Sequence, residues 1–134
     1  MDLYDLAAKA RAARQFTVVL GAADAPRTIT LHAPTQHEVT VAGLRAGVGK
    51  ASDPAAMPLL QRALLCAAVT GWAGVLCTDL VPDLKAGGQD EAPFGPGATE
   101  LLLDANPLWE QSLWIQLAEV LATRVARTES AAKN

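Results

Sequence analysis

The residues that come closest to a reactive cluster are two histidines and a neighbouring carboxylate. His32 and His37 are close in sequence, and Glu38 follows the second histidine directly. A metal site or an acid–base pair would need further Cys, His or Asp residues at ligand spacing, and the sequence supplies none. We therefore expect His32 to end a strand and His37 to lie in the first turn of a helix, as surface or half-buried side chains. The carboxylates of DLVPD and GGQDE lack the order of a calcium loop, which leaves only weak calcium binding as an alternative.

The segment GLRAGVGKAS, residues 43–52, has the appearance of a phosphate-binding loop but does not match one. Such a loop requires G-x-x-x-x-G-K-[ST], in which backbone amides surround the phosphates and the hydroxyl group binds magnesium. Here Leu44 stands at the first glycine position and Ala51 at the hydroxyl position. Ser52 and Ser112 also lack the G-x-S-x-G setting of a nucleophilic serine. We predict no catalytic residues, no metal, no bound cofactor and no enzymatic activity.

The two cysteines, Cys66 and Cys77, have no histidine or further cysteine at zinc-ligand spacing. A disulfide between them is one alternative. Cys66, however, lies in an apolar helical run, where a buried free thiol is the commoner state of cysteine. We predict structural thiols and no metal centre.

Composition limits the class of protein. The chain has 134 residues, of which 51% are hydrophobic but only 4% aromatic, so that Ala, Leu and Val dominate and favour helices. The 11 basic and 14 acidic residues form no basic cluster, which argues against a nucleic acid partner. No apolar run approaches the ~20 residues of a membrane span, and the acidic start of the chain does not have the pattern of a signal peptide. We expect an intracellular protein of one domain, residues 1–128.

Periodicity predicts a helix over residues 2–14 and then a β-hairpin over residues 15–32, built from QFTVVL and RTITLH. Because a lone hairpin is marginally stable in water, it must pack on helices or pair with a strand of another chain. Thr35 and Glu38 fit a capping box, which predicts a short helix over residues 35–46.

The second half is predicted to be helical. Asp53 and Pro54 mark the start of a long apolar helix over residues 54–71, which Gly71 ends in a left-handed conformation while Trp72 folds back onto it. A polar loop follows, then helices over residues 97–105 and 107–126, and a flexible tail over residues 129–134. The predicted fold class is α+β, mainly α, with an N-terminal β-hairpin packed on a bundle of four to five helices.

The last helix is apolar over much of its circumference. Its aromatic and leucine side chains either belong to the core or form an interface with a partner or a second copy, and the sequence leaves both readings open. The candidate interface residues are Trp109, Leu113, Trp114, Leu117 and Leu121.

The order of these motifs resembles the tail assembly chaperones of long-tailed bacteriophages and prophages. A β-hairpin precedes the helix start LHAPTQHEV, an apolar helix ends in AVTGWAGV, and an acidic loop leads into APFGPGATELLLDANP before the closing helix. In those chains Ser often follows the Pro-Phe pair, where this chain has Gly95. The matching residues are Gly71, Trp72, Pro93, Phe94, Leu101 and Leu102.

The resemblance implies a non-enzymatic protein of the bacterial host cytoplasm that coats the tape-measure protein, recruits tail-tube subunits and forms homo-oligomers. It also implies that the matching Gly, Trp and Phe determine the fold, so that Gly71→Ala and Trp72→Ala should destabilise it. The alternative is a permanent head–tail connector or minor tail protein of the virion. A third class, an enzyme or ligand-binding module, would need a pocket with convergent polar groups, for which we find no residues.

Overall fold

The computed structural model describes residues 2–45 and 56–133. Within these ranges the chain forms six helices and one three-stranded antiparallel sheet, so the fold is α+β and mainly α, with an N-terminal β-hairpin, as predicted. The elements follow one another as α1 (Leu3–Ala13), β1 (Gln15–Leu20), β2 (Arg27–His32), α2 (Gln36–Arg45), α3 (Ala56–Ala68), β3 (Val69–Ala73), α4 (Cys77–Leu80), α5 (Ala98–Ala105) and α6 (Pro107–Lys133).

The N-terminal elements follow local sequence signals closely. The Asp2 carboxylate accepts a hydrogen bond from the Asp5 amide at 2.9 Å and so caps α1. β1 and β2 pair from Gln15 opposite His32 to the turn. The amides of Thr35 and Glu38 each donate to the other residue's side chain, at 3.1 and 3.2 Å, which confirms the capping box of α2.

The prediction of a helix that continues to Gly71 is wrong. α3 ends at Ala68, and the next residue begins β3, which pairs antiparallel with β2. Gly71 therefore lies inside a strand, and it is Gly74, with a φ of 79°, that turns the chain. The cause is non-local: β2 has a second edge to pair, and Val69, Thr70 and Trp72 are good strand formers. The predicted start at Asp53 and Pro54 lies outside the described residues.

Two further boundaries differ from prediction. The segment predicted as a polar loop contains the short helix α4. α6 continues to Lys133, past the predicted end at Ala126 and through most of the predicted tail. Its last turns contain neither Gly nor Pro, so no residue there stops the helix.

The core lies where β2 meets α3, α5 and α6. Its fully buried large side chains are all aliphatic: Ile29, Leu31, Leu65, Val75, Leu102, Leu103, Leu113 and Leu117. Because β2 is the central strand, its two core residues are covered by both neighbouring strands and by the helices. Aliphatic burial on this scale is the main source of stability in a domain of this size.

Ion pairs join the helices outside the core. The Arg62 guanidinium of α3 donates to both carboxylate oxygens of Glu110, with shortest distances of 3.1 Å to Oε1 and 2.6 Å to Oε2, and to Asp104 at 2.7 Å. These hydrogen bonds raise the pKa of Arg62 above its ordinary value. One side chain therefore ties α3 to both α5 and α6, in the two-pronged geometry that suits a guanidinium.

Candidate functional site

An open groove with an apolar lining lies between α4 and α5, and we call it the α4–α5 groove. It has a volume of about 380 Å³. Four of its large side chains, Val81, Leu84, Phe94 and Leu101, keep between 39% and 48% of their surface exposed. The complete lining is Cys77, Leu80, Val81, Leu84, Ala92, Pro93, Phe94, Gly95, Pro96, Ala98 and Leu101.

Backbone hydrogen bonds hold the two walls of the groove together. The Cys77 amide donates to the Asp90 carbonyl at 2.8 Å, and the Ala92 amide donates to the Val75 carbonyl at 2.7 Å. They join the start of α4 to the segment that leads toward α5. The groove is therefore framed by paired backbone and lined by apolar side chains.

Trp72 supports the groove from the side of the sheet. Its indole N–H donates to the Ala92 carbonyl at 2.9 Å. Its ring meets the Phe94 ring edge to face, with centroids 5.0 Å apart and an angle of 87°. This is a favourable aromatic geometry, and it orients the side chain of Phe94 at the groove wall.

A partly buried ion pair fixes α4. The Asp79 carboxylate accepts a hydrogen bond from the Leu76 amide at 2.8 Å and forms an ion pair with Arg27 of β2 at 3.0 Å. The Arg27 guanidinium also lies over the Trp109 ring, 5.6 Å from its centroid. The short helix is thus anchored to the sheet and to α6. Asp79 is consequently engaged in structure, and it is not free to act as an acid or a ligand.

The structure brings three of the six family-motif residues into one site. Pro93, Phe94 and Leu101 line the groove, and Trp72 contacts Phe94 from behind. The remaining two lie elsewhere: Leu102 is fully buried in the core, and Gly71 lies within β3.

The candidate interface residues of α6 face inward to different degrees. Leu113 and Leu117 are fully buried, and Trp109, Trp114 and Leu121 are partly buried against the core. A partner could reach the two leucines only if the core opened. Between residues 107 and 124, the large apolar side chains that α6 exposes are Leu108 and Ile115, which were not among the candidates.

The polar residues considered for chemistry are dispersed. His32 shares a hydrogen bond of 2.9 Å with the Thr70 hydroxyl at the end of the sheet, and His37 is exposed in the first turn of α2. Both cysteines are free thiols, and burial raises the pKa of the Cys66 thiol. In the described part of the chain no group of three or more His, Cys, Asp or Glu side chains could hold a metal ion. Most of the phosphate-loop-like segment, with Ser52, lies outside that part.

The sequence did not predict Val81 and Leu84 as groove residues, because they lie in a segment that was predicted to be a polar loop. The spacing of the apolar residues Leu80, Val81 and Leu84 could have indicated an apolar surface here, although Pro82 and Asp83 interrupt it.

Among residues 2–45 and 56–133, none of the helices has the length and apolar character needed to cross a bilayer. Comparison with protein-family models, characterised proteins and solved structures finds no match to this chain.

Proposed function

We propose that this chain is a tail assembly chaperone of a long-tailed phage or prophage, without enzymatic activity, that acts in the cytoplasm of the bacterial host. It binds the tape-measure protein and aids assembly of the tail tube. The observation that carries this proposal is the α4–α5 groove, in which Pro93, Phe94 and Leu101 of the family motif meet at an exposed apolar surface.

The chemistry of the groove favours a protein segment over a small molecule. Ligand pockets usually combine an apolar lining with a few polar groups that orient the ligand. The lining here consists of apolar residues and one cysteine. A groove of that kind suits the apolar face of an amphipathic helix, whose backbone polar groups are already satisfied. A long helical client such as a tape-measure protein offers many such faces.

The test is co-expression of the chain with the tape-measure protein of the same phage or prophage. We expect the two to co-purify through a tag on either one, with many copies of this chain per client by light scattering. We also expect the client to be soluble only in the complex. If the chain instead does not co-elute and persists in finished particles, it is a structural tail component and the proposal is wrong.

Matched variants assign binding to the groove. Leu84→Asp places a charge at the partly exposed groove wall and should reduce co-purification at least about tenfold, since a buried unpaired charge is strongly unfavourable. Leu108→Asp is the control, because Leu108 is 76% exposed on α6 and does not line the groove. Equal loss in both variants, or in neither, would contradict binding at this site.

A further inference from the structure

Among the residues that the structure describes, none buries a side chain of helix α1. None of its residues is buried, and Leu3 and Tyr4 are exposed over 81% and 89% of their surfaces. Leu3, Leu6 and Ala10 recur at spacings of three and four residues, so they lie on one face. The helix is thus amphipathic, with an apolar face that the described part of the chain leaves exposed.

An isolated helix of this length is marginal in water. α1 has 11 residues, and helices shorter than about 12 to 15 residues are seldom stable without tertiary contacts. The cap at Asp2 contributes locally, but most helical stability in proteins comes from packing of the apolar face. A contact with another surface would supply that packing.

The α4–α5 groove has the complementary properties. It is apolar and open, and its surroundings are acidic: Asp83 and Glu100 are exposed next to groove residues, and Lys85 is the one basic residue between positions 77 and 104. After the acidic first turn, α1 carries Lys9 and Arg11. Apolar fit and opposite charge therefore point to the same pairing.

The groove of the same chain is not the acceptor. α1 passes into β1 without a linker, and the Arg14 carbonyl between them accepts a hydrogen bond from the Ala33 amide at 2.9 Å. β1 forms one edge of the sheet, whereas the groove is supported by Trp72 of β3 at the opposite edge. A second copy can present its α1 without these restrictions.

We infer that α1 of one copy binds in the α4–α5 groove of a second copy. The two surfaces of this contact differ, so a pair of copies joined by one such contact still has one unused α1 and one unused groove. Such contacts continue from copy to copy into a ring or an open chain. One consequence rests on the proposed function: a client helix that binds the same groove displaces α1 and dissociates the oligomer.

The test uses two complementary variants of the full-length chain, followed by sedimentation velocity. Leu6→Glu alters the exposed face of α1, and Leu101→Glu alters the partly exposed groove wall. We expect the unmodified chain to form concentration-dependent oligomers and each variant alone to be monomeric. An equimolar mixture should form a dimer and nothing larger, because only one intact groove and one intact α1 meet. Ile115→Glu, exposed on α6 outside the groove, is the control and should oligomerise like the unmodified chain.

Three results would overturn the inference: a monomeric unmodified chain at all concentrations, a mixture that stays monomeric, or variants that remain oligomeric. A Leu101→Glu variant that remains oligomeric alone would indicate symmetric pairing of α1 with α1, and oligomers of both variants would indicate pairing through the open edge of β1. Circular dichroism checks that each variant is folded.

If Leu101→Glu does not fold, a labelled peptide of residues 2–14 is titrated into Leu6→Glu, with anisotropy as the readout. Saturable binding that weakens at high salt supports the inference, and absence of binding contradicts it. None of these measurements involves the client, so their failure is distinguishable from failure of the proposed function.

Discussion

Matched substitutions at two nearby glycines test where α3 ends and β3 begins. Gly74 has a φ of 79°, and a Cβ atom there would lie 2.5 Å from the Pro26 carbonyl oxygen. Gly71 lies inside β3, and a Cβ atom there would meet nothing within 4 Å. We therefore expect substitution by alanine to destabilise the fold at Gly74 but not at Gly71.

The magnitudes follow from backbone conformation and space. A left-handed conformation costs a residue with a side chain about 1–2 kcal/mol, and relief of the contact with Pro26 adds about 1 kcal/mol or more. We expect Gly74→Ala to lower the free energy of unfolding by about 2–4 kcal/mol. Glycine inside a strand is less favourable than alanine by about 0.5–1 kcal/mol. Gly71→Ala should therefore leave stability unchanged or raise it slightly, contrary to the expectation from the family motif.

Urea unfolding followed by far-ultraviolet circular dichroism measures both variants, since three tryptophans complicate a fluorescence signal. With an m-value of about 2 kcal/mol per M, Gly74→Ala should lower the unfolding midpoint by about 1–2 M. The midpoint of Gly71→Ala should lie within about 0.5 M of the unmodified chain. If Gly71→Ala is instead as destabilised as Gly74→Ala, Gly71 is a helix terminus and the assignment of β3 is wrong.

Three other predictions concern side chains. Trp72→Phe keeps a ring next to Phe94 but removes the indole donor to Ala92, so it should lower the free energy of unfolding by about 1 kcal/mol. Trp72→Ala should lower it by about 2–3 kcal/mol, because the Trp72 side chain is only partly buried. Equal urea midpoints for the unmodified chain and Trp72→Phe would contradict that hydrogen bond. Arg62→Lys should lower the free energy of unfolding by about 1–2 kcal/mol, because an ammonium group cannot form the paired hydrogen bonds of a guanidinium with Glu110. Thermal melts measure this effect, and an unchanged melting temperature would argue against the ion-pair cluster. A hydrogen bond from the Thr35 amide lowers the pKa of Glu38 below its ordinary value of 4.5. The ionised carboxylate therefore stabilises the fold at pH values above 4.5. This stabilisation is lost as the pH falls through the lowered pKa of the folded state. Glu38→Gln should therefore melt below the unmodified chain at about pH 7 and converge with it at about pH 3, whereas a difference independent of pH would refute a role for the charge.

Elements set by neighbouring residues were predictable from the sequence. The Asp2 cap of α1, the strands of the hairpin and the reciprocal bonds between Thr35 and Glu38 all depend on residues a few positions apart. β3 was not predictable in this way, because AVTGWAGV directly follows an apolar helical run and Gly71 matches the pattern of a helix terminus. Its strand conformation depends on pairing with β2, far away in sequence.

In the candidate site, too, features set by nearby residues were predictable and features set by long-range contacts were not. The resemblance singled out Phe94, as a fold determinant, and Leu101, but it did not predict that they meet in one groove. The place of Val81 and Leu84 in the groove depends on contacts between residues far apart in sequence, among them the ion pair of Asp79 with Arg27. Burial of Leu113 and Leu117 likewise depends on which side of α6 faces the sheet, and helical periodicity alone does not decide this.

The central position of β2 has a consequence for synthesis of the chain. Its pairing with β1 requires only the hairpin turn, a local step that takes about 1–10 μs. Its pairing with β3 requires residues 33–68 to be made, and because β3 follows α3 directly, docking of α3 brings β3 to this edge. Until residue 73 leaves the ribosome, one edge of β2 remains unpaired beside Ile29 and Leu31, which is the kind of edge that other chains can join. Substitutions that slow docking of α3 should thus lower the yield of soluble protein before they lower the stability of the folded state.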